Sequence, residues 1–268
     1  MSASVVLEDV AQAFSGPGGG TRLALDGVSL EVAAGEFACV VGPSGCGKST
    51  LLDLVAGHTR PLRGSVAVGG APVAGPGADR VMVFQEPALF PWLSVADNVG
   101  FGLKQTGVSA GERAAAVSHW LARVGLAEAA ALHPHQLSGG MRQRAALARA
   151  FAMRPQVLLM DEPFSALDAP ARDRLHVDLQ DLWAEAGTTV VFVTHNVREA
   201  VALGDRVVVL ASGPGRVIGE VEVGLRRPRV VESTTVVGLA QEVRRLLDAA
   251  DQLGIGTPRV GRDGHVVI

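Results

Sequence analysis

The chain has 268 residues, 48% of them apolar and 19% charged, with a formal net charge of −3. That balance supplies a full core for one globular unit with room for a subdomain, and it argues against a disordered chain. A pI of about 6.2 and the lack of a basic stripe disfavour a nucleic-acid groove.

The first 13 residues carry Glu8 and Asp9, no basic start and no continuous apolar stretch, so they do not read as a secretory signal. The longest apolar runs, such as 190–193 and 207–211, are strand-sized and far short of the roughly 18 residues a membrane span needs. The cysteines, Cys39 and Cys46, match neither a metal-ligand spacing nor a disulfide framework, and they suit a reducing compartment. The expected location is the cytosol.

Residues 5–10 and 28–32 read as short strands separated by a Gly-rich turn or loop at 15–20, with Phe14 at its edge. The apolar run 37–41 reads as a buried strand, and 51–56 as a helix that Gly57 stops. Between them lie Gly42, Pro43, Ser44, Gly45, Cys46, Gly47, Lys48, Ser49 and Thr50, which fit G-x-x-x-x-G-K-[ST], the phosphate-binding loop. A loop wraps a polyphosphate only when successive backbone N–H groups point inward, and Gly42, Gly45 and Gly47 allow those torsions and that approach. The helix beginning near Lys48 adds unpaired N–H groups and its positive dipole end. The Lys48 ammonium suits the outer phosphates, and the Ser49 hydroxyl suits Mg²⁺.

Residues 65–68 and 80–84 are strand-like around a Gly- and Pro-rich stretch, and Gln85 follows directly. The texture then changes to an Ala-rich helical insertion over 94–131, with Ser94 as N-cap and Gly107, Gly111 and Gly125 as breaks. Leu137-Ser138-Gly139-Gly140 precedes a helix over 141–153, and 156–160 is a buried strand ending in Asp161 and Glu162. Pro170 sits in the first turn of a helix that Gly187 stops, and strand 188–194 ends at His195. Strands 206–211 and 217–223 flank a turn, and Arg226, Arg227 and Arg229 around Pro228 read as a solvated loop. Residues 236–253 have the spacing of an amphipathic helix, and 262–265 could turn a small hairpin. The alternation argues an α/β fold with a largely parallel sheet, preceded by an antiparallel β region.

Open α/β sheets bind ligands at the C-terminal ends of their strands, where Asp161, Glu162 and His195 all fall. Asp161 suits Mg²⁺, and Glu162, facing otherwise, suits polarisation of a water for attack on a γ-phosphorus. A polar strand exit is the plain alternative for the two carboxylates, and a structural histidine for His195. The small residues of Ser138-Gly139-Gly140 bare backbone N–H groups at a second helix N-terminus, unless Ser138 is simply its N-cap. A second phosphate-gripping helix start implies a second ligand, or a nucleotide shared between two chains.

The phosphate loop, Gln85, Leu137-Ser138-Gly139-Gly140, the strand into Asp161-Glu162, Ser165-Ala166-Leu167-Asp168 and His195, in this order, closely resemble the ATPase subunits of ABC transporters. The resemblance covers about residues 5–223 and implies a P-loop NTPase core, a mostly parallel sheet flanked by helices. It further implies an ATPase domain over 1–231 with a helical subdomain inserted at about 94–154, then a C-terminal helix and tail over 232–268. Phe14 would stack on adenine, where the family usually has Tyr. Gln85 would contact Mg²⁺ and the attacking water. Ser138, Gly139 and Gly140 would grip the γ-phosphate of ATP held by the opposite subunit, Asp168 would join the two sites, and His195 would hold the γ-phosphate. Met141 departs from the usual Gln.

The implied partners are a second copy in a head-to-tail dimer, integral-membrane permease subunits and, indirectly, an extracytoplasmic solute-binding protein, with the chain peripheral on the cytoplasmic face of the membrane. Phe90 and Trp92, in an unusually aromatic stretch at 84–92, are candidate permease contacts or core residues. The wording of 84–99, 137–144 and 160–169 is most similar to importers of nitrate, sulfonates and taurine. A soluble ABC-type ATPase, or an importer subunit for another solute, is the alternative.

Overall fold

The computed structural model describes residues 2–15, 20–252, 259–260 and 266–267. The chain opens with β1 (Val5–Ser15) and β2 (Thr21–Val32), enters a second sheet at β3 (Phe37–Val41), and continues into α1 (Lys48–Ala56). β4 (Arg63–Val68) and β5 (Ala71–Pro72) return to the first sheet, and β6 (Arg80–Val83) joins the second. Helices α2 (Val95–Gln105), α3 (Ala110–Arg123) and α4 (Gly139–Ala152) follow before β7 (Val157–Asp161). Then come α5 (Ala169–Ala186), β8 (Thr189–Thr194), α6 (Val197–Leu203), β9 (Arg206–Ala211), β10 (Arg216–Glu222), α7 (Thr234–Gln252) and the pair β11 (Arg259–Val260) and β12 (Val266–Val267).

The first sheet is antiparallel, in order β2-β1-β4-β5. The second runs β10-β9-β3-β8-β7-β6, parallel except for β10 at its edge. The expected α/β class with an antiparallel β region therefore holds. β4, however, pairs with β1 in the antiparallel sheet and takes no part in the parallel core. β1 and β2 are also longer than the alternation suggests, because across register shifts near Asp9 and Gln12 they stay paired as far as Ser15 and Thr21.

The central strands are buried on both faces, which is why they read as continuous apolar runs. In β3, Phe37, Cys39 and Val41 enter the core on the side of α2, α4, α5, α6 and α7, while Ala38 and Val40 pack toward α1 and the antiparallel sheet. β7, β8 and β9 split in the same way. Fully buried side chains such as Phe151 and Phe192 each contribute about 1.5–3 kcal/mol by leaving water.

Ser94 caps α2 through Asp97, and Ser109 and Glu112 close a capping box on α3. α2 packs on α3 and α4, and Trp120 stacks on Phe151 at 5.4 Å. α6 has no counterpart in the sequence reading. α7 lays Val236, Ala240 and Val243 against α6, β9 and β10. The proposed hairpin turn at 262–265 and Leu253 lie outside the described residues, although β11 and β12 do pair antiparallel.

The arginine cluster is corrected by the fold. Arg226 is exposed, but Arg229 is buried and donates to the carbonyls of Val201, Leu225 and Val223 at 3.0, 3.0 and 3.2 Å and also to that of Gly204. Arg227 lies 4.4 Å over the Trp183 ring and 2.6 Å from Asp205. A guanidinium has enough donors to satisfy several carbonyls at once, which makes it tolerable in a buried position.

Candidate nucleotide site

Parallel register gathers the motifs at one sheet edge. Val41 lies opposite Thr194, Asp161 opposite Val193 and Val83 opposite Met160, so the residues after β3, β6, β7 and β8 leave together. Gly42, Gln85, Glu162 and His195 are at those exits.

The loop after β3 turns through Gly45 and Gly47, at φ 78° and 96°. A Cβ on Gly47 would lie 2.5 Å from Leu25 Cδ2 and 2.7 Å from the Ala24 carbonyl, and one on Gly42 would lie 2.6 Å from the Leu210 carbonyl. Both positions therefore need glycine for close approach. α1 begins with no side-chain cap and no acidic residue in its first turn, which leaves its N–H groups and dipole for an anion. The Lys48 ammonium donates to the Gly42 carbonyl at 2.8 Å and the Pro43 carbonyl at 3.1 Å, and stands 4.0 Å from Glu162 Oε1. Cys46 is buried, and that burial pushes its thiol pKa up, against the pull of Lys48.

A pocket of about 510 Å³ opens over this loop, and its walls include Phe14, Ser44, Gly45, Lys48, Ser49, Thr50 and Glu162. Phe14 is half exposed on β1. Arg22, directly opposite it on β2, also lines the pocket, together with Ser15 and Ala24. Arg22 is not among the residues expected at the site. Its signal is the antiparallel pairing of β2 with β1, which sets it opposite Phe14.

Asp161 is the last residue of β7, and Glu162 follows it just outside the strand. Burial raises the Asp161 pKa, a hydrogen bond from Ser49 lowers it, and the charges of Glu162 and Asp53 raise it further. Ser49 and Asp161 thus form a hard-oxygen pair beside the loop, which fits Mg²⁺ completed by phosphate and water. The described residues hold no cluster of three or more His, Cys, Asp or Glu side chains for a metal. A Mg²⁺ held through one or two carboxylates and its substrate does not require one.

Glu162 adopts a left-handed backbone at φ 43°, and its Oε2 meets His195 Nδ1 at 2.7 Å. His195 is exposed, and with Gly42, Pro43 and Ser44 it lines a smaller pocket that Leu247 of α7 also enters. Gln85 is exposed at the same edge without lining the 510 Å³ pocket.

The other predicted residues are not brought there. Ser138 accepts from Met141 N as the N-cap of α4, with Gly139 and Gly140 in its first turn. Asp168 accepts from Ala171 N as the N-cap of α5. The two helix starts lie side by side, since a Cβ on Gly140 would be 3.7 Å from Ala171 Cβ. Both caps are exposed, and neither lines the pocket of Lys48. Met141 is partly buried against the core.

Away from this edge, Phe90 packs 4.5 Å from Phe101 and 5.5 Å from Trp92, with Arg149 over its ring. Trp92 is 71% exposed. Beside them a groove between α2 and α3, about 560 Å³, is walled by Leu93, Phe101, Val117 and Leu121. Phe90 is thus part of the local packing, and Trp92 is left free on the surface.

The ABC transporter family model matches residues 25–165. The taurine import ATP-binding protein TauB of Chromobacterium violaceum is 54% identical over 200 residues, 75% of this chain and 77% of that protein. The nitrate import ATP-binding protein NrtD of Synechococcus elongatus is 48% identical over 217 residues, 80% of this chain and 79% of that one. The ATP-binding cassette MJ0796, solved as a dimer bound to ADP and Pi, superimposes with a TM-score of 0.72 at 32% identity, covering 83% of this chain and all of that one.

Proposed function

The chain belongs to the ABC transporter family, and from that membership we propose that it is the ATP-hydrolysing subunit of an importer for a small anionic solute such as nitrate, a sulfonate or taurine. The reaction is ATP plus water to ADP plus phosphate, coupled to transport. In this reading Phe14 stacks on adenine, and the loop from Gly42 to Thr50 wraps the phosphates with Lys48 at the outer ones. Ser49, Asp161 and Gln85 would hold Mg²⁺, which spreads positive charge over the β- and γ-oxygens. Glu162 accepts the proton of the attacking water, and His195 holds both Glu162 and the γ-phosphate.

One observation carries the reading furthest. The helix start proposed to grip a second phosphate has Ser138 and Gly139 exposed beside Asp168, and it does not line the pocket of Lys48. Two copies set head to tail would supply Ser138, Gly139 and Gly140 to each other's ATP, and Asp168 would connect the two sites. The MJ0796 cassette, dimeric with ADP and Pi, supports that arrangement. Residues 1–231 would form the ATPase domain, with the helical subdomain at about 94–154 presenting Trp92 and the α2/α3 groove to permease subunits. Residues 232–268 would be its C-terminal appendage.

No described helix is long and apolar enough to cross a membrane, so attachment would come through a separate permease, peripherally at the cytoplasmic face. A solute-binding protein on the far side would select the anion. Recovery of tagged Glu162→Gln protein from native membranes tests this: permease subunits should come with it, and the associated binding protein should take a small anion. Return of the protein alone from the soluble fraction would instead support a soluble ABC-type ATPase.

A further inference from the structure

Behind His195 lies a buried polar network that none of the motifs includes. Glu199, on α6, is 6% exposed at its side chain and His176, on α5, 2%. His176 Nε2 donates to Glu199 Oε1 at 2.7 Å, and the Thr194 hydroxyl donates to Glu199 Oε2. That hydroxyl also accepts from Asn196 N at 3.0 Å, and Asn196 Oδ1 in turn caps α6 by accepting from the backbone N–H groups of Arg198 and Glu199. The backbone is therefore pinned on both sides of His195, by Thr194 before it and Asn196 after it. Each Glu199 oxygen has one strong partner, and His176 Nδ1 is buried with none among the described residues.

The network also reaches Glu162 from the other side. Phe164, two residues beyond Glu162, packs edge-on against His176 at 5.3 Å and against Phe192 of β8 at 6.0 Å. The contacts thus close a ring from Glu162 through Phe164, His176, Glu199 and Thr194 to His195, whose Nδ1 returns to Glu162. A buried carboxylate costs several kcal/mol unless well partnered, so a fold keeps one where its geometry is needed. Hydrophobic residues of similar size would fill the space between α5 and α6 without that cost.

We infer that Glu199, anchored by His176 and acting through Thr194, is a positioning residue that sets the His195 backbone and with it the Glu162–His195 pair. The inference rests on the proposed roles of Glu162 and His195. Because His176 lies on α5, two turns beyond the Asp168 cap, the same network ties the interface loop of this copy to its own hydrolytic pair.

The test is steady-state ATP hydrolysis by the full-length chain, with a fluorescent ATP analogue reporting affinity and thermal unfolding reporting the fold. Thr194→Val, which removes the hydroxyl at constant shape, and Glu199→Gln should each lower kcat about ten- to a hundred-fold, the scale of a small misplacement of reacting groups. KM for ATP should stay within about two-fold, since only the transition state is affected. Thr194→Ser, which keeps the hydroxyl, should return kcat to near the parent value. A kcat near the parent value in Thr194→Val overturns the inference, whatever happens to the melting temperature and whether or not Glu199→Gln folds. Equal loss in Thr194→Ser and Thr194→Val also overturns it. Glu162→Gln is the reference: if it is inactive while Thr194→Val is active, only the positioning inference falls, and if it hydrolyses ATP normally, the base assignment falls and takes the inference with it.

Discussion

Glu162 and His195 leave adjacent strands, β7 and β8, and meet through a 2.7 Å hydrogen bond between Oε2 and Nδ1. Glu162 does so from a left-handed backbone, a conformation that costs a non-glycine residue about 1–3 kcal/mol and is kept where surrounding structure enforces it. The Glu162 N–H donates to the Val193 carbonyl at 2.9 Å, which is part of that enforcement. The two side chains should therefore act as one unit. Glu162→Gln and His195→Ala should each keep ATP binding and lose most turnover, and the double variant should be no slower than the worse single one. Independent, multiplying losses in kcat would show that the pair does not work together.

Lys48 holds the loop as well as facing the pocket. Its ammonium satisfies the Gly42 and Pro43 carbonyls, and its side chain is 7% exposed. Lys48→Ala should weaken ATP binding at least about ten-fold, a loss of about 1.4 kcal/mol, by removing a charge-assisted contact to phosphate. It should also lower the melting temperature slightly, because two loop carbonyls lose a donor. Titration with a fluorescent ATP analogue decides the first point, and unchanged affinity would remove Lys48 from the site.

The parallel core is legible in the sequence because its strands are buried on both faces, and the phosphate loop because glycine spacing and close approach dictate each other at Gly42 and Gly47. α6 is not legible: seven residues, 197–203, are too few for a helical period to stand out. Arg227 and Arg229 look solvated in sequence because the groups that bury them are remote. Asp205, Val201 and Gln180 lie 22, 28 and 49 positions away. His176 and Glu199 are hidden for the same reason, 23 positions apart on different helices. A buried polar pair becomes visible only when both partners are placed.

Sharing of the nucleotide between copies can be separated from hydrolysis within one copy. Ser138 is exposed at the N-terminus of α4, and an arginine there would stand where another copy's γ-phosphate is expected. In a heterodimer of Ser138→Arg and Lys48→Ala chains, sharing puts both lesions in one site and leaves the other, built from the intact Lys48 of one copy and the intact Ser138 of the other, whole. One competent site per mixed pair is therefore expected, counted by trapped nucleotide per dimer. No competent site in the mixed pair, as when each copy uses its own Ser138 and Lys48, would contradict sharing.

Asp161 is expected to trade stability for cation binding. Burial, with the nearby charges of Glu162 and Asp53, raises its folded pKa, so the folded state holds its proton more tightly than the unfolded state does. The stability this contributes is fully present below the unfolded value, about 3.9, and is lost as pH rises through the raised folded value. Above that range the ionised carboxylate is a cost. Asp161→Asn, which keeps a hydrogen-bonding partner for Ser49, should melt higher than the parent at pH 7 in a chelator, and the gap should close toward pH 4. It should also lose Mg²⁺-dependent turnover. A variant that melts lower at neutral pH would show that the charge is stabilising where it stands.

One guanidinium ties the segment ahead of α7 to the core, beside the apolar packing of α7 itself. Arg229 links the carbonyls of Val201 and Gly204, at the end of α6, to those of Val223 and Leu225 after β10, and its own backbone N–H donates to Gln180 Oε1 of α5 at 2.8 Å. Its pKa is lowered to about 10 by burial and by the neighbouring Arg227, with Asp205 opposing, so it remains charged at neutral pH. Lysine has one nitrogen where arginine has three, and it cannot span these carbonyls together. Arg229→Lys should therefore lose about 3 kcal/mol of stability, the scale for stripping partners from buried polar groups, with kcat per folded molecule retained. Denaturant unfolding followed alongside ATP hydrolysis measures both. Unchanged stability would mean that water replaces the missing donors, and that α7 is secured by the burial of Val236, Ala240 and Val243 alone.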